Sequence, residues 1–278
     1  MAELFDRVRD QIFEAIEKDT LLLPTMPEIA LQVRDLTDSD TATVMDLANL
    51  INRDAAMSAR MIKVCNSPLF RGSREVTNLQ NAVSRLGMDY TGNLALGLAM
   101  EQMFQATSSM VDQRMRQTWK HSTEVAGIAQ VLAQYFTRLK PDQATLAGLV
   151  SQIGVLPILR FVEDEDLAIE DEGLDQLLET LHPILGRRIL ERWRFPESIS
   201  QVPEGHVDFS REVATADYAD VVMVANLECL NDPEHPFVKQ DWSAIPAFAR
   251  LGLNPNQSLD DDEDLSIQMK QAMRFLGA

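Results

Sequence analysis

The stretch Leu146-Ala147-Gly148-Leu149-Val150-Ser151-Gln152-Ile153-Gly154 decides how this chain is read. It is apolar apart from Ser151 and Gln152. Leu149, Val150, Ile153 and Leu156 are placed to pack along one helical surface. The polar pair offers a hydroxyl and a neutral amide. Both are poor ligands for a hydrolytic metal ion, which is better held by imidazole and carboxylate.

The surroundings of this stretch point to helices. The chain has 278 residues, 45% hydrophobic and 24% charged, enough for one domain or two closely packed ones. Twelve Gly and twelve Pro are fewer than a chain of this length ordinarily carries, which favours long elements with few connections. No alternating strand pattern runs for more than a few residues, and no internal repeat is visible. Forty-three acidic residues against 25 basic ones leave a net charge of −18. That balance argues against nucleic acid and anionic membrane as partners. Cys65 and Cys229 are isolated and read as reduced packing residues, which fits the cytoplasm. The acidic N-terminus lacks the charge pattern of a signal peptide. No apolar run was expected to reach the ~18 residues that span a bilayer.

Periodicity divides the chain into four parts. A lead helix over 3–18 repeats Leu4, Val8, Ile12 and Ile16 at every fourth position, within residues 1–20. Residues 21–107 form a first helical subdomain. Pro27 opens a helix there, Asp38-Ser39-Asp40 offers caps for the next, and Asp54 and Asn78 cap two more. Asn66-Ser67-Pro68 ends a helix, with Asn66 bonding free backbone groups. Met88 to Phe104 reads as one long apolar helix, with Gly92 and Gly97 marking close packing. The polar break Thr107-Ser108-Ser109 opens a second subdomain, 108–230. Its helices are expected at about 112–138, 142–161, 174–193, 197–202 and 211–230. Residues 231–278 form a loop-rich extension with a last helix near 264–275.

Several motifs occur together, in order. They are Leu23-Pro24-x-x-Pro27, Leu47-Ala48-x-x-Ile51-x-x-Asp54, Asn66-Ser67-Pro68 and Asn81-Ala82-Val83-x-x-Leu86-Gly87. Trp119-x-His121-Ser122, the Gly148–Gly154 stretch, and His182, Gly186, Trp193 and Pro196 follow. Over about residues 21–230 this series resembles the HDOD domain, the HD-related output domain of bacterial signalling proteins. The resemblance implies an all-α fold of two packed helical subdomains, the second an HD-like helical bundle. Catalytic HD enzymes use a first His, a His-Asp pair and a later Asp as metal ligands. His121 matches the first, Ser151 and Gln152 the pair, and Asn226 the last. On that reading one of four ligands survives, and no catalytic residue, metal or cofactor is expected.

The same residues admit plainer readings. His121 lies on the apolar stripe of Val125, Ile128 and Leu132, as a hydrogen-bonded wall residue would. His182 precedes Pro183 at an expected helix boundary, where capping or packing suffices. His206 and His235 sit in loops and carry little signal. Ser151 has no His-Asp partner at a nucleophile's spacing. Arg71 and Arg74 on one loop, with Arg187, Arg188 and Arg192 on one helix, are candidates for binding a phosphate or an acidic partner. Pairing of the latter group with Glu191 and the acidic loop at 163–172 is the bland alternative. The expectation is a non-catalytic, cytoplasmic bacterial signalling module with protein partners and room for a small nucleotide ligand. Two alternatives stand beside it. One is a metal-dependent phosphohydrolase with a rearranged site drawn from His121, His182, Asp217 and Asp220. The other is a non-catalytic nucleotide sensor.

Overall fold

The chain opens with an amphipathic helix, α1 (Ala2–Glu17), which buries Val8 and Ile12 against the body of the protein. The computed structural model describes residues 2–18, 22–70, 72, 74–167, 169–230, 235–255 and 263–276. Arg71 therefore lies outside the described residues. Every regular element among them is helical.

The first bundle holds α2 (Glu28–Thr37), α3 (Val44–Ile51), α4 (Ala55–Cys65), α5 (Leu79–Leu86) and α6 (Met88–Ala99). Local chemistry sets most of their starts. Asp54 accepts from the Met57 N–H at 3.0 Å, and Asn78 from the Asn81 N–H at 2.9 Å, as cap residues do. The start of α3 corrects the expectation. Thr43 forms the cap in place of Asp38–Asp40, because Thr43 and Asp46 exchange bonds in a capping box. Asn66 bonds free backbone groups as expected, but those of Val76 across the following loop, at 2.7 and 2.8 Å. The long helix expected to Phe104 stops at Ala99 and tightens into a 3-10 turn, Met100–Met103.

The second bundle is built around α7 (Ser109–Phe136), which packs against α8 (Pro141–Val150), α9 (Val155–Asp164) and α13 (Tyr218–Cys229). Between them come α10 (Asp171–Arg192), α11 (Glu197–Ser200) and α12 (Val202–Gly205). The polar break before α7 is its cap. Glu163 accepts from the Thr107 and Ser108 N–H groups at 2.9 and 2.6 Å, which holds its carboxyl below the usual range. The span read as one helix over 142–161 is two. Pro157 has no N–H for the Ile153 carbonyl, and its ring would clash there, so the helix breaks over Ser151–Gly154 and restarts at Val155. Residues Pro141–Asp164 also correct the expectation about apolar runs. By length and composition they could cross a bilayer, but 83% of the most apolar window is buried inside the protein.

The opposite correction applies at Pro183. It lies within α10, not at a boundary. The carbonyl it frees belongs to Glu179, an exposed residue. The helix expected over 211–230 begins only at Tyr218. The extension adds α14 (Pro246–Leu251) and α15 (Glu263–Leu276), and α15 packs mainly on α7.

One continuous core joins both bundles, because α6 packs on α2 and on α8. Three glycines allow close helix packing, at the α6–α8, α7–α15 and α7–α8 contacts. A Cβ on Gly97 would lie 2.4 Å from Leu149 Cδ1, and one on Gly127 would lie 2.6 Å from the Met273 nitrogen. A Cβ on Gly148 would lie 2.5 Å from Ala126 Cα. The last collision is with backbone, which no side-chain rotation can relieve. Gly148→Val should therefore destabilise the protein by about 3 kcal/mol, the upper end of overpacking costs, measured as a lower urea midpoint. A midpoint within experimental error of the parent would refute this crossing.

Candidate functional site

Three separate elements carry the four HD-equivalent positions: α7 holds His121, the turn between α8 and α9 holds Ser151 and Gln152, and α13 holds Asn226. The stripe of Val125, Ile128 and Leu132 is buried and turns His121 of α7 inward. Asn226 arrives from α13, itself almost wholly buried. His121 Nε2 and Asn226 Oδ1 meet at 2.6 Å. An amide oxygen accepts, so Nε2 donates in this arrangement. Burial pushes the His121 pKa down, with the Asn226 bond opposing it. Ser151 lies in the turn between α8 and α9 and is fully buried, but its hydroxyl donates to the Gly148 carbonyl at 2.8 Å. The side chains at three of the four positions are thus His121 and Asn226, bonded to each other, and Ser151, bonded to its own turn.

Two further histidines join the site. His182 of α10 and His206, which follows α12, stand edge to face with ring centroids 5.7 Å apart. His182 Nδ1 meets the Leu178 carbonyl at 2.8 Å, and His206 Nδ1 meets the Val202 carbonyl at 2.9 Å. A carbonyl only accepts, so each Nδ1 carries the proton and each Nε2 is left as a lone pair. Both Nε2 atoms are buried without a partner. Burial pushes His182 down to about 4 and His206 to about 3, the latter helped by the charge of His182. Each of these two lies within electrostatic reach of His121, as does His235. His235 packs edge-on against Phe237, 5.0 Å between centroids, and its Nε2 lies 4.0 Å from Glu179.

Glycines make this convergence possible. A Cβ on Gly154 would fall 2.0 Å from the His182 carbonyl oxygen and 2.5 Å from the Gly186 nitrogen. A Cβ on Gly186 would fall 2.7 Å from Pro203 Cβ. The two glycines let α9, α10 and α12 close on one another, which seats His182 and His206 side by side.

The remaining sequence candidates lie elsewhere. Asp217 caps α13 and takes two bonds from Arg211, at 2.8 and 2.7 Å. Asp220 is fully buried and accepts from Arg211 at 2.6 Å and from Arg250 at 2.7 Å. Both carboxylates are therefore engaged in an ion network that pins α14 to α13. Arg187 is held by Glu191, Glu197 and Glu204 at 2.8, 2.9 and 3.0 Å, which raises its pKa. Its partners include Glu191, as the bland reading had it, but the acidic loop turns instead to Arg114, through Asp171 at 3.0 Å. Arg74, Arg188 and Arg192 are exposed.

A hydrolytic divalent ion is what an intact HD site would hold. The donors present do not suit it. Among the described residues, no group of three or more His, Cys, Asp or Glu side chains is placed to bind a metal ion. The cluster offers imidazoles, an amide and a hydroxyl, and among the described residues no carboxylate is hydrogen-bonded to His121, His182 or His206.

Two outcomes follow from this geometry. His182 and His206 stay neutral in the folded chain but take up protons near pH 6.5 when unfolded. Between pH 6.5 and about 4 the unfolded state binds more protons, so stability falls as pH drops. Each histidine contributes a slope of up to ~1.4 kcal/mol per pH unit in that window. Urea titrations at pH 7.5, 6 and 5 should show a shallower slope for His206→Gln than for the parent, and identical slopes would disprove the assignment. Asp220→Ala would leave Arg211 and Arg250 without their buried partner and should cost about 3–5 kcal/mol. A loss below 1 kcal/mol would mean the network is solvated.

The comparisons agree with this architecture. A candidate metal-dependent phosphohydrolase from Shewanella amazonensis SB2B has a crystal structure that superposes with a TM-score of 0.86. It is 28% identical, covering 100% of this chain and 99% of that one. An HDOD domain protein of unknown function from Geobacter sulfurreducens is 20% identical with a TM-score of 0.64, covering 99% of both chains. A candidate signal transduction protein from Marinobacter aquaeolei VT8 is 22% identical with a TM-score of 0.63. The match covers 98% of this chain and 66% of that one. An uncharacterised protein of Treponema pallidum (strain Nichols) is 21% identical over 223 residues, and the match spans only 42% of its length. The HDOD domain itself matches residues 23–209, two thirds of the sequence and most of both bundles, and the chain belongs to the HDOD family.

Proposed function

We propose that this chain is a non-catalytic signalling module that works through recognition of protein partners. The observation that carries the reading is the 2.6 Å bond between His121 and Asn226. Two side chains at metal-ligand positions satisfy each other, and the Ser151 hydroxyl satisfies its own turn. Polar groups left over in a buried site would otherwise cost free energy, so these three side chains need no metal to satisfy them. Membership of the HDOD family and the signalling description of the Marinobacter neighbour support the same role. Under this reading the bundle serves as a shaped scaffold, and its output is contact with other proteins.

A second reading is a metal-dependent phosphohydrolase with a rearranged site. Its support is specific. Metal-binding histidines commonly donate one ring N–H to a backbone carbonyl and keep the other nitrogen bare, as His182 and His206 do. The Shewanella neighbour carries that description as well. Placement weighs against it: among the described residues no three His, Cys, Asp or Glu side chains are set to share one ion, His121 Nε2 is bonded to Asn226, and Asp217 and Asp220 are engaged by arginines.

Elemental analysis separates the two. After incubation with Mn, Fe(II) or Zn and desalting, the parent protein should retain less than about a tenth of an equivalent and should not hydrolyse bis(p-nitrophenyl) phosphate. The Ser151→His/Gln152→Asp/Asn226→Asp variant should retain close to one equivalent. A stoichiometric ion in the parent, with turnover abolished by His121→Ala, would overturn the proposal.

A further inference from the structure

A groove of about 740 Å³ runs between the segment that follows α1 and the face of α9. Its floor is apolar, from Leu23, Pro24, Met103, Pro157 and Phe161. Leu22 stands at its edge, 89% exposed, the most exposed large hydrophobic side chain among the described residues.

The groove has two further properties. Residues 22–27 run along it in neither helix nor strand. This segment is held in place, because the Pro24 carbonyl accepts from Trp193 Nε1 at 3.0 Å. Its rim is acidic. Glu28, Asp164 and Glu165 line it against a single cation, Arg160, which lies in the field of Glu163. The chain as a whole carries −18.

We infer that this groove is the docking site for a partner-protein segment that combines apolar anchor residues with flanking lysines or arginines. Apolar side chains would fill the floor beside Phe161 and cover Leu22, and the cations would meet Asp164, Glu165 and Glu28. The inference rests on the protein-recognition reading above and assigns that recognition to one face. The vestigial histidine cluster takes no part in it.

The test uses the full chain and a capped synthetic peptide built of leucine and lysine, with its glutamate-for-lysine analogue as the reference. Fluorescence anisotropy should give saturable binding of the lysine peptide and none of the analogue. Asp164→Lys/Glu165→Lys should weaken binding about tenfold, and Leu22→Glu by a similar factor. These positions are exposed, so the variants should fold. Glu172→Lys/Glu212→Lys reverses the same charge at exposed positions that do not line the groove and should change affinity less than about threefold. Hydrogen exchange should slow at residues 22–28 and 157–165 when the peptide is bound. Equal losses in the groove and control variants, or no loss in either, would overturn the groove assignment. Protection confined to another face would do the same while leaving protein recognition standing. Phosphodiesterase turnover would end the recognition reading instead, without bearing on where the peptide binds.

Discussion

The crossing of α7 and α8 at Gly148 and Ala126 is the contact on which the rest of the molecule depends. Two helices ordinarily pack with their axes 8–10 Å apart, separated by side chains. Here the Gly148 backbone lies directly on the α7 backbone. That closeness lets α8 touch α6 of the first bundle on its other side, with Gly97 receiving Leu149. A single apolar helix thus serves both bundles, and the core runs through without a seam. The same α7 carries His121 inward and receives α15 at Gly127, so the site and the extension inherit their positions from one helix.

This constraint explains why the Gly148–Gly154 stretch keeps some features of the HD motif and lacks others. Gly148 and Gly154 are required by backbone contacts with α7 and α10. Leu149, Val150 and Ile153 are fully buried core residues. None of these duties involves a metal. Ser151 sits in the same turn under a different rule, that a buried polar group needs a partner. The Gly148 carbonyl provides one. Loss of ligands therefore costs the scaffold little, while loss of the glycines would displace three helices.

Much of the architecture could be read directly from residue order. The caps at Asp54 and Asn78, the polar break before α7, and the inward face of His121 all follow from interactions within a turn or two. Motif order placed Asn226 and His121 at two positions of one site, but their bond to each other is seen only in the structure. The failures have a common cause. Pro157 and Pro183 present the same local signal, yet the first helix breaks and the second continues; the freed carbonyl belongs to buried Ile153 in one case and to exposed Glu179 in the other. Thr43 displaces the Asp38–Asp40 cap through a reciprocal bond with Asp46. His206 and His235 showed nothing in sequence, since their partners lie on elements far away along the chain.

What the amino-acid order determined by itself was the all-helical class, the order of the helices and the chemical poverty of positions 151, 152 and 226 as metal ligands. These are properties of side-chain type and of spacing within one helix, where neighbours are three or four residues apart. Tertiary structure decided which charges and imidazoles meet. It seated His182 beside His206, engaged Asp220 between Arg211 and Arg250, held Arg187 among three carboxylates, and left a groove beside Leu22. Those encounters depend on how closely the helix backbones approach, and that distance is set by glycines whose partners no local pattern identifies.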